Sequence, residues 1–401
     1  MISAIRNIYN SRFTQEKYQA FLKDMNALHP GAIEFRLAET PVFVPGHFRD
    51  KMLATCESII DLIVDPDFKI NTERAIPAHL KVQGEQEHPH FMVFDFGICE
   101  NEAGDTEPQL IEMQGFPSLF AFQVRHAEMM RKHFDIPEHF TPYLNGFGEQ
   151  EYVELFKEIV EGLHNPDQVV LLELFPHQQK TRIDFYLTKD ITGISIVCLT
   201  ELIQEGRKLY YILNGQKTEI RRIYNRIIFE ELLQQTEEVQ NKGRLLFSDL
   251  DVEWVTHPCW FYRISKFTLP FLHHPHIPET FFLNEVTQLP PDIGNFVLKP
   301  LFSFSGHGVC LDITTKEVEN IQDPENWILQ RKVKYAEIID TPDGPAKAEI
   351  RIFYFWKNGV ARPIAINNLA RISKGKMIGV DYNKNKTWVG GSLCFFEPDE
   401  M

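Results

Sequence analysis

Residues 295–309 read NFVLKPLFSFSGHGV. An apolar run of strand type, 296–298, delivers Lys299 to a proline stop and then to a turn that contains Ser305, Gly306 and Gly308. This order suits a polyphosphate. The lysine supplies a point charge, and a turn of small residues lets backbone N–H groups approach phosphate oxygens with no Cβ in the way. A strand, a lysine and a glycine turn are also an ordinary way to end a strand, so the assignment depends on what the rest of the chain supplies.

At 401 residues the chain exceeds one ordinary core, and roughly two or three domains are expected. A formal charge of −15 argues against nucleic acid or an anionic membrane as the main partner, since either favours a basic face; a nucleotide pocket needs only local lysines and arginines. The six cysteines are widely separated and form no C-x-x-C pair, which predicts free thiols, a reducing compartment and a cytoplasmic location. Residues 1–21 lack the apolar stretch of a signal sequence, and no segment approaches the length of a membrane span.

Working outward, Phe48, Met52, Leu53, Cys56, Ile59, Ile60 and Ile63 recur at three- and four-residue spacing and predict an amphipathic helix over 46–64. Residues 91–99 and 109–114 read as strands joined by a turn-rich connection with Gly104 at its tip. On the second strand, period-2 alternation puts Glu112 and Gln114 on one face, and Gly115-Phe116-Pro117 ends it. Helices are expected near 118–133 and 149–163, with a domain boundary near 145 in the Pro-, Gly- and Asn-rich segment between them. The following pattern, strand 169–174, helix, strand 193–199, helix and hairpin 209–219, suggests a Rossmann-like α/β unit without a G-x-G-x-x-G fingerprint. This unit ends in the basic cluster 221–226, either a solvated turn or an anion contact, with Arg226 the preferred candidate. Further strands are expected at 327–333, 348–356 and 361–367, and 375–392 is loop-like.

His47-Phe48-Arg49-Asp50 and Asp95-Phe96-Gly97 mimic two protein-kinase signatures, but too little chain precedes them to hold a glycine-rich loop and its lysine strand. There is no P-loop motif and no G-x-S-x-G elbow, and His273, His274 and His276 lack the partner residues of a zinc site. What remains is a set that works together: Lys266 and Lys299, both on segments read as strand-like, a small-residue turn, Glu112 with Gln114, and scattered arginines. Hard oxygen ligands suit Mg²⁺ bridging phosphates, and lysines offset the charge that develops in phosphoryl transfer.

These residues resemble the ATP-grasp superfamily in its circularly permuted branch, which includes eukaryotic-type glutathione synthetase and the synthetase domain of glutathionylspermidine synthase. Residues 296–300 with 305–308 look like the phosphate-clasping strand and glycine-rich loop, Lys266 like the earlier nucleotide lysine, and 327–333 like the adenine hinge, with Gln330, Lys332 and Val333 meeting the base through their backbone. Residues 111–114 look like the magnesium strand, which in this branch precedes the lysines. The resemblance implies a mixed α/β (α+β) fold of ATP-grasp type with an inserted Rossmann-like domain. Residues 1–145 would carry the magnesium strand, 146–255 the Rossmann-like substrate domain and 256–401 the nucleotide-binding region. It also implies ATP and Mg²⁺ as cofactors, small-molecule carboxylate and amine substrates, and amide-bond formation through an acyl phosphate. Asp95 would face substrate, Arg125, Arg226 and Arg371 would steady the acid, and Glu349 and Arg351 match more loosely as phosphate contacts. The chain departs from the family pattern at Gln114, in place of asparagine, at Ser303, in place of a metal-binding glutamate, and at Arg331, in place of an acidic hinge residue. These departures keep open a nucleotide- or partner-binding module without ligase activity, or a small-molecule kinase.

Overall fold

The computed structural model describes residues 1–303, 308–379 and 381–398. Its centre is a five-stranded antiparallel sheet in the order Gly390–Ser392, Ile364–Ser373, Lys347–Phe355, Phe91–Glu100, Thr106–Gln114. Strands distant in sequence are therefore neighbours: Phe91–Glu100 has its hairpin mate on one side and Lys347–Phe355 on the other. Period-2 alternation explains both faces. Met92, Phe94, Phe96 and Ile98 join Ala348, Ile350, Ile352 and Tyr354 in one core, and helix Gly46–Ile63 closes over them with Phe48, Met52, Cys56, Ile59, Ile60 and Ile63.

The opposite face changes character halfway along. Phe91, Val93, Phe353 and Phe355 lie in a second apolar core with Phe120, Phe122, Met129 and Met130 of helix Phe120–His133. Two residues further along each strand, Asp95, Glu349 and Arg351 take their place. The charged residues sit where the apolar cover ends.

Among the described residues, three further sheets of three or more strands accompany this one. Strands Glu253–Val255, Arg222–Asn225, Val169–Glu173 and Ser195–Cys198 form a parallel sheet in that order, accompanied by helices Glu149–Glu161 and Arg182–Thr192, which is the layering expected of the Rossmann-like unit. A three-stranded meander, Ile203–Glu205, Lys208–Leu213 and Gln216–Ile220, extends the expected hairpin by one strand. The third, Thr280–Phe282, Trp327–Arg331 and Phe296–Pro300, is antiparallel and has its own small core of Leu283, Phe296, Leu298, Ile313, Val318 and Leu329. A parallel pair of short strands, Val42–Val44 with Cys394–Phe396, ties the two ends of the described chain together. Helices Ser3–Arg12 and Gln15–Met25 were not anticipated; the second is capped by Thr14, whose side chain accepts from Lys17 N at 3.2 Å.

One expectation is corrected. Lys266 does not lie on a strand but opens the 3₁₀ segment Lys266–Phe271, capped by Ser265, whose hydroxyl accepts from Phe267 N at 3.1 Å. All six cysteines are unpaired, and Cys310 alone among them is exposed. Among the described residues no helix is long and apolar enough to cross a membrane.

Gly115 joins the magnesium-strand candidate to the segment that carries Lys266. Its N–H donates to Ile264 O at 2.8 Å, and a Cβ there would stand 2.4 Å from Trp260 O. Gly115→Ala forces two backbones apart and is expected to destabilise the protein by about 1–3 kcal/mol, the range for overpacking a tight core. A urea-unfolding midpoint equal to that of the parent chain would contradict this packing.

Candidate functional site

The charged half of the central sheet is built by register. Asp95 pairs across the ladder with Arg351 on one side and Glu112 on the other, and Glu349 pairs with Arg371. Arg351 grips Asp95 with both arms, Nε to Oδ1 and Nη2 to Oδ2, each 2.6 Å. Arg371 Nη2 donates to Asp95 Oδ2 at 3.2 Å and to Glu349 Oε2 at 2.7 Å, and the Tyr335 hydroxyl donates to Glu349 Oε1. Burial opposes ionisation of Asp95, but Arg351 and then Arg371 outweigh it and hold its carboxyl below the ordinary range. At Glu349 burial wins over Arg371 and pushes the carboxyl up.

Gly97 makes room for Tyr335. A Cβ at this position would stand 2.9 Å from Tyr335 Cε1, so the glycine of the kinase-like Asp95-Phe96-Gly97 serves packing.

Glu112 is less enclosed. Gln114 Nε2 donates to its Oε1 at 2.8 Å, and Arg351 Nη2 stands 4.0 Å from the same oxygen. The pairing shifts by one residue here, Asp95 opposite Glu112 but Phe96 opposite Leu110, which leaves Ile111 as a bulge. The Ile111 carbonyl accepts from Lys299 Nζ at 3.3 Å, so the lysine strand reaches the metal-ligand candidates through that irregularity.

Lys299 sits on Phe296–Pro300, and its ammonium also donates to Gln330 Oε1 at 2.5 Å. Burial pushes its pKa down to about 8, with Glu112 opposing and Lys266 adding to the shift. Lys266 donates to Ser303 O at 2.5 Å and to Ser303 Oγ at 3.2 Å, and burial lowers its pKa as well. The two side chains are 6% and 9% exposed, Lys266 and Lys299 respectively, and neither forms an ion pair with any described residue. Buried ammonium groups whose hydrogen-bond acceptors are all neutral are costly, and a bound polyanion would offset that cost.

The remaining candidates are distributed as follows. Gln330 links Lys299 to Thr280, donating to its Oγ1 at 3.1 Å. Lys332 donates through its backbone N to Asn295 O at 2.8 Å and through Nζ to Gly294 O at 2.7 Å; Val333 is half-buried beside it. Arg331, the hinge departure, points to Asp292 and Glu279 and lies over the Phe296 ring. Gly308 has φ +75°, and a Cβ there would meet Pro300 Cγ at 2.9 Å; Ser305 and Gly306 lie outside the described residues. Arg226 follows the parallel strand Arg222–Asn225, donates to Pro117 O at 2.5 Å and stacks over Phe116, which places it at the turn beyond Gln114. Arg125 is not brought to the cluster: it pairs with Glu128 at 2.7 Å and donates to Asp24 O at 3.1 Å.

Glu112 and the Gln114 amide oxygen are hard donors on one strand face, and the pair fits a Mg²⁺ ion whose other ligands are phosphate and water oxygens. Among the described residues no group of three or more His, Cys, Asp or Glu is arranged to hold a metal without such help. Tyr335 carried no signal in the sequence. Arg351 did: Glu349 and Arg351 alternate with apolar Ile350 and Ile352, which marks a strand with one charged face.

No protein-family model matches the chain, and no curated protein matches it in sequence. Among solved structures it is similar in fold to a glutathione synthetase-like effector, GSS30, from Globodera pallida, determined in the apo form. The TM-score is 0.59 at 9% identity, over 96% of this chain and 98% of that one. The chain therefore has a mixed α+β fold of glutathione synthetase-like kind.

Lys299 gives a stability test. Its folded pKa, about 8, lies below the ordinary 10.5, so between these values the unfolded chain holds a proton that the folded chain has released, and stability from this group rises with pH. Lys299→Met, an apolar replacement of similar length, is expected to be as stable as the parent or more stable near pH 7, and the gap between the two is expected to close as pH rises from about 8 towards 10. Urea unfolding of both proteins across that range checks it; a large loss of stability in Lys299→Met at pH 7 would show that the ammonium is held favourably without ligand.

Proposed function

We propose that the protein is an ATP-dependent carboxylate–amine ligase of glutathione synthetase-like type. The observation that carries the reading is the pair of buried ammonium groups, Lys266 and Lys299, without ion pairs among the described residues and beside the Glu112–Gln114 oxygens. A magnesium–polyphosphate is the kind of ligand that satisfies both halves of that arrangement.

Lys266 and Lys299 would hold the β- and γ-phosphates. Glu112 and Gln114 would hold Mg²⁺, whose contribution is to neutralise phosphate oxygens during transfer. The substrate carboxylate attacks the γ-phosphorus; the bond from that phosphorus to the bridging oxygen breaks, ADP leaves with the electron pair, and an acyl phosphate forms. The amine then adds to the acyl carbon, inorganic phosphate leaves with the C–O electron pair, and nitrogen loses a proton to complete the amide. Such chemistry needs positioning and fixed charge more than acid–base power. Arg371, fixed by Asp95 and Glu349, and Arg226, at the turn after Gln114, would orient the acid substrate. Asp95 acts through the arginines it holds.

A second reading has its own observation. Both lysines are engaged by protein acceptors, and Asp95 and Glu349 are fully occupied by arginine and tyrosine donors, which also describes a closed site that binds a nucleotide or a protein partner without turnover. Calorimetric titration with a non-hydrolysable ATP analogue, with and without Mg²⁺, separates the possibilities. Magnesium-dependent binding that Lys299→Ala abolishes supports the nucleotide site; absence of binding in both conditions favours the partner-binding module.

Turnover is the next step. ADP release on adding acids and amines, with a new amide in the product, is the ligase signature, whereas a stable phosphate ester would mark a kinase. Glu112→Ala is expected to lower ADP release by roughly 10²–10³-fold with an unchanged unfolding midpoint. Full activity in that variant would sink the metal assignment.

A further inference from the structure

We propose that the Arg351 guanidinium acts as a fixed cation in the place that a second divalent metal would take, so that the site binds nucleotide with a single metal ion. This rests on the nucleotide-binding reading above.

The carboxylates set the limit. Both oxygens of Asp95, which is fully buried, are taken by Arg351 at 2.6 Å. Both oxygens of Glu349 are taken, one by Arg371 and one by Tyr335. Among the charged residues of this face, Glu112 with Gln114 is left to ligate a metal, and among the described residues no set of three or more His, Cys, Asp or Glu is arranged to hold one. One carboxylate with phosphate and water oxygens serves one magnesium ion well and a second poorly.

Arg351 also occupies the right position. Its Nη2 stands 4.0 Å from Glu112 Oε1, where it disfavours another cation on that carboxylate. Its Nη1 has no hydrogen-bond partner among the described residues, while Nε and Nη2 lock the group in orientation. A guanidinium clamped in this way is a preorganised donor for phosphate oxygen and costs no reorganisation when the ligand arrives. Ser303, the position at which the family pattern carries a metal-binding glutamate, instead receives Lys266. At the Asp95–Glu112 pair and at Ser303 alike, a cation of this chain engages or faces the oxygens present.

Equilibrium dialysis of the full chain tests this, with Mn²⁺ as the metal probe and a saturating non-hydrolysable ATP analogue. One Mn²⁺ per bound nucleotide is expected for the parent chain. Arg351→Met frees Asp95 Oδ1 beside Glu112 while Arg371 still donates to Oδ2, and two Mn²⁺ per nucleotide are expected, with nucleotide affinity weakened roughly ten-fold at low Mn²⁺. Two Mn²⁺ in the parent chain overturns the inference, and so does an Arg351→Met protein that keeps one Mn²⁺ and parental nucleotide affinity. Should Arg351→Met fail to fold, the double variant Asp95→Asn/Arg351→Met removes both charges together. Weakened nucleotide binding with one Mn²⁺ retained then supports the role, and unchanged affinity overturns it. A parent chain that shows no nucleotide-dependent Mn²⁺ binding removes the nucleotide reading itself and the inference with it, an outcome distinct from a count of two.

Discussion

Asp95 is a carboxylate with no exposure in the middle of a β-sheet, and the fold has to supply its counter-charges. Removing such a group from water costs several kcal/mol unless excellent partners replace the solvent. The partners are Arg351 and Arg371, from the two strands of the 347–373 hairpin, so this hairpin is held against Phe91–Glu100 in one register. A slip of one residue would turn Arg351 into the apolar core and Ile350 or Ile352 into the charged cluster. The constraint therefore joins segments more than two hundred residues apart and fixes which face of the sheet carries the chemistry.

From that register the rest of the site follows through irregularities at strand ends. The bulge at Ile111 leaves a carbonyl for Lys299, Gly115 lets the end of the Glu112 strand press against the backbone before Lys266, and Gly97 leaves space for Tyr335. The two glycines let a backbone or a ring come closer than a side chain would permit. The result is a group of fixed cations in a low-dielectric setting, which attracts a polyanion, while burial weakens protonation of both lysines against the opposing pull of Glu112.

Much of this was legible in the sequence where the pattern was local. Alternation marked strands 91–99, 109–114 and 348–356, and three- and four-residue spacing marked helix Gly46–Ile63, because burial on one face imposes those periods. The pairing of Glu112 with Gln114 on one face was likewise a consequence of period two. Lys266 reads as strand because residues 260–272 are aromatic-rich, a composition that strands favour, while the competing signal, the Ser265 cap, is a single hydroxyl. Arg125, expected to steady the acid substrate, turns to Glu128 and to a carbonyl of helix Gln15–Met25, and no local pattern shows which partner lies about a hundred residues upstream. Tyr335 reaches the site from an irregular segment that bridges to Cys99, a non-local contact without periodicity.

The two ends of a nucleotide would be coupled in this architecture by one side chain. Gln330 lies on Trp327–Arg331, the hinge candidate, and that strand pairs antiparallel with Phe296–Pro300, which carries Lys299. The Gln330 amide accepts from the Lys299 ammonium on one side and donates to Thr280 on the other, so it is held between Lys299 and the third strand of the sheet. A phosphate that draws the ammonium away leaves a buried amide oxygen without its charged donor, and such a group is costly until it finds another partner. On the proposed reading, occupancy at the phosphate end would reach the strand that meets the base through these two hydrogen bonds. The small core of Leu283, Phe296, Leu298 and Leu329 holds this sheet together beneath those hydrogen bonds.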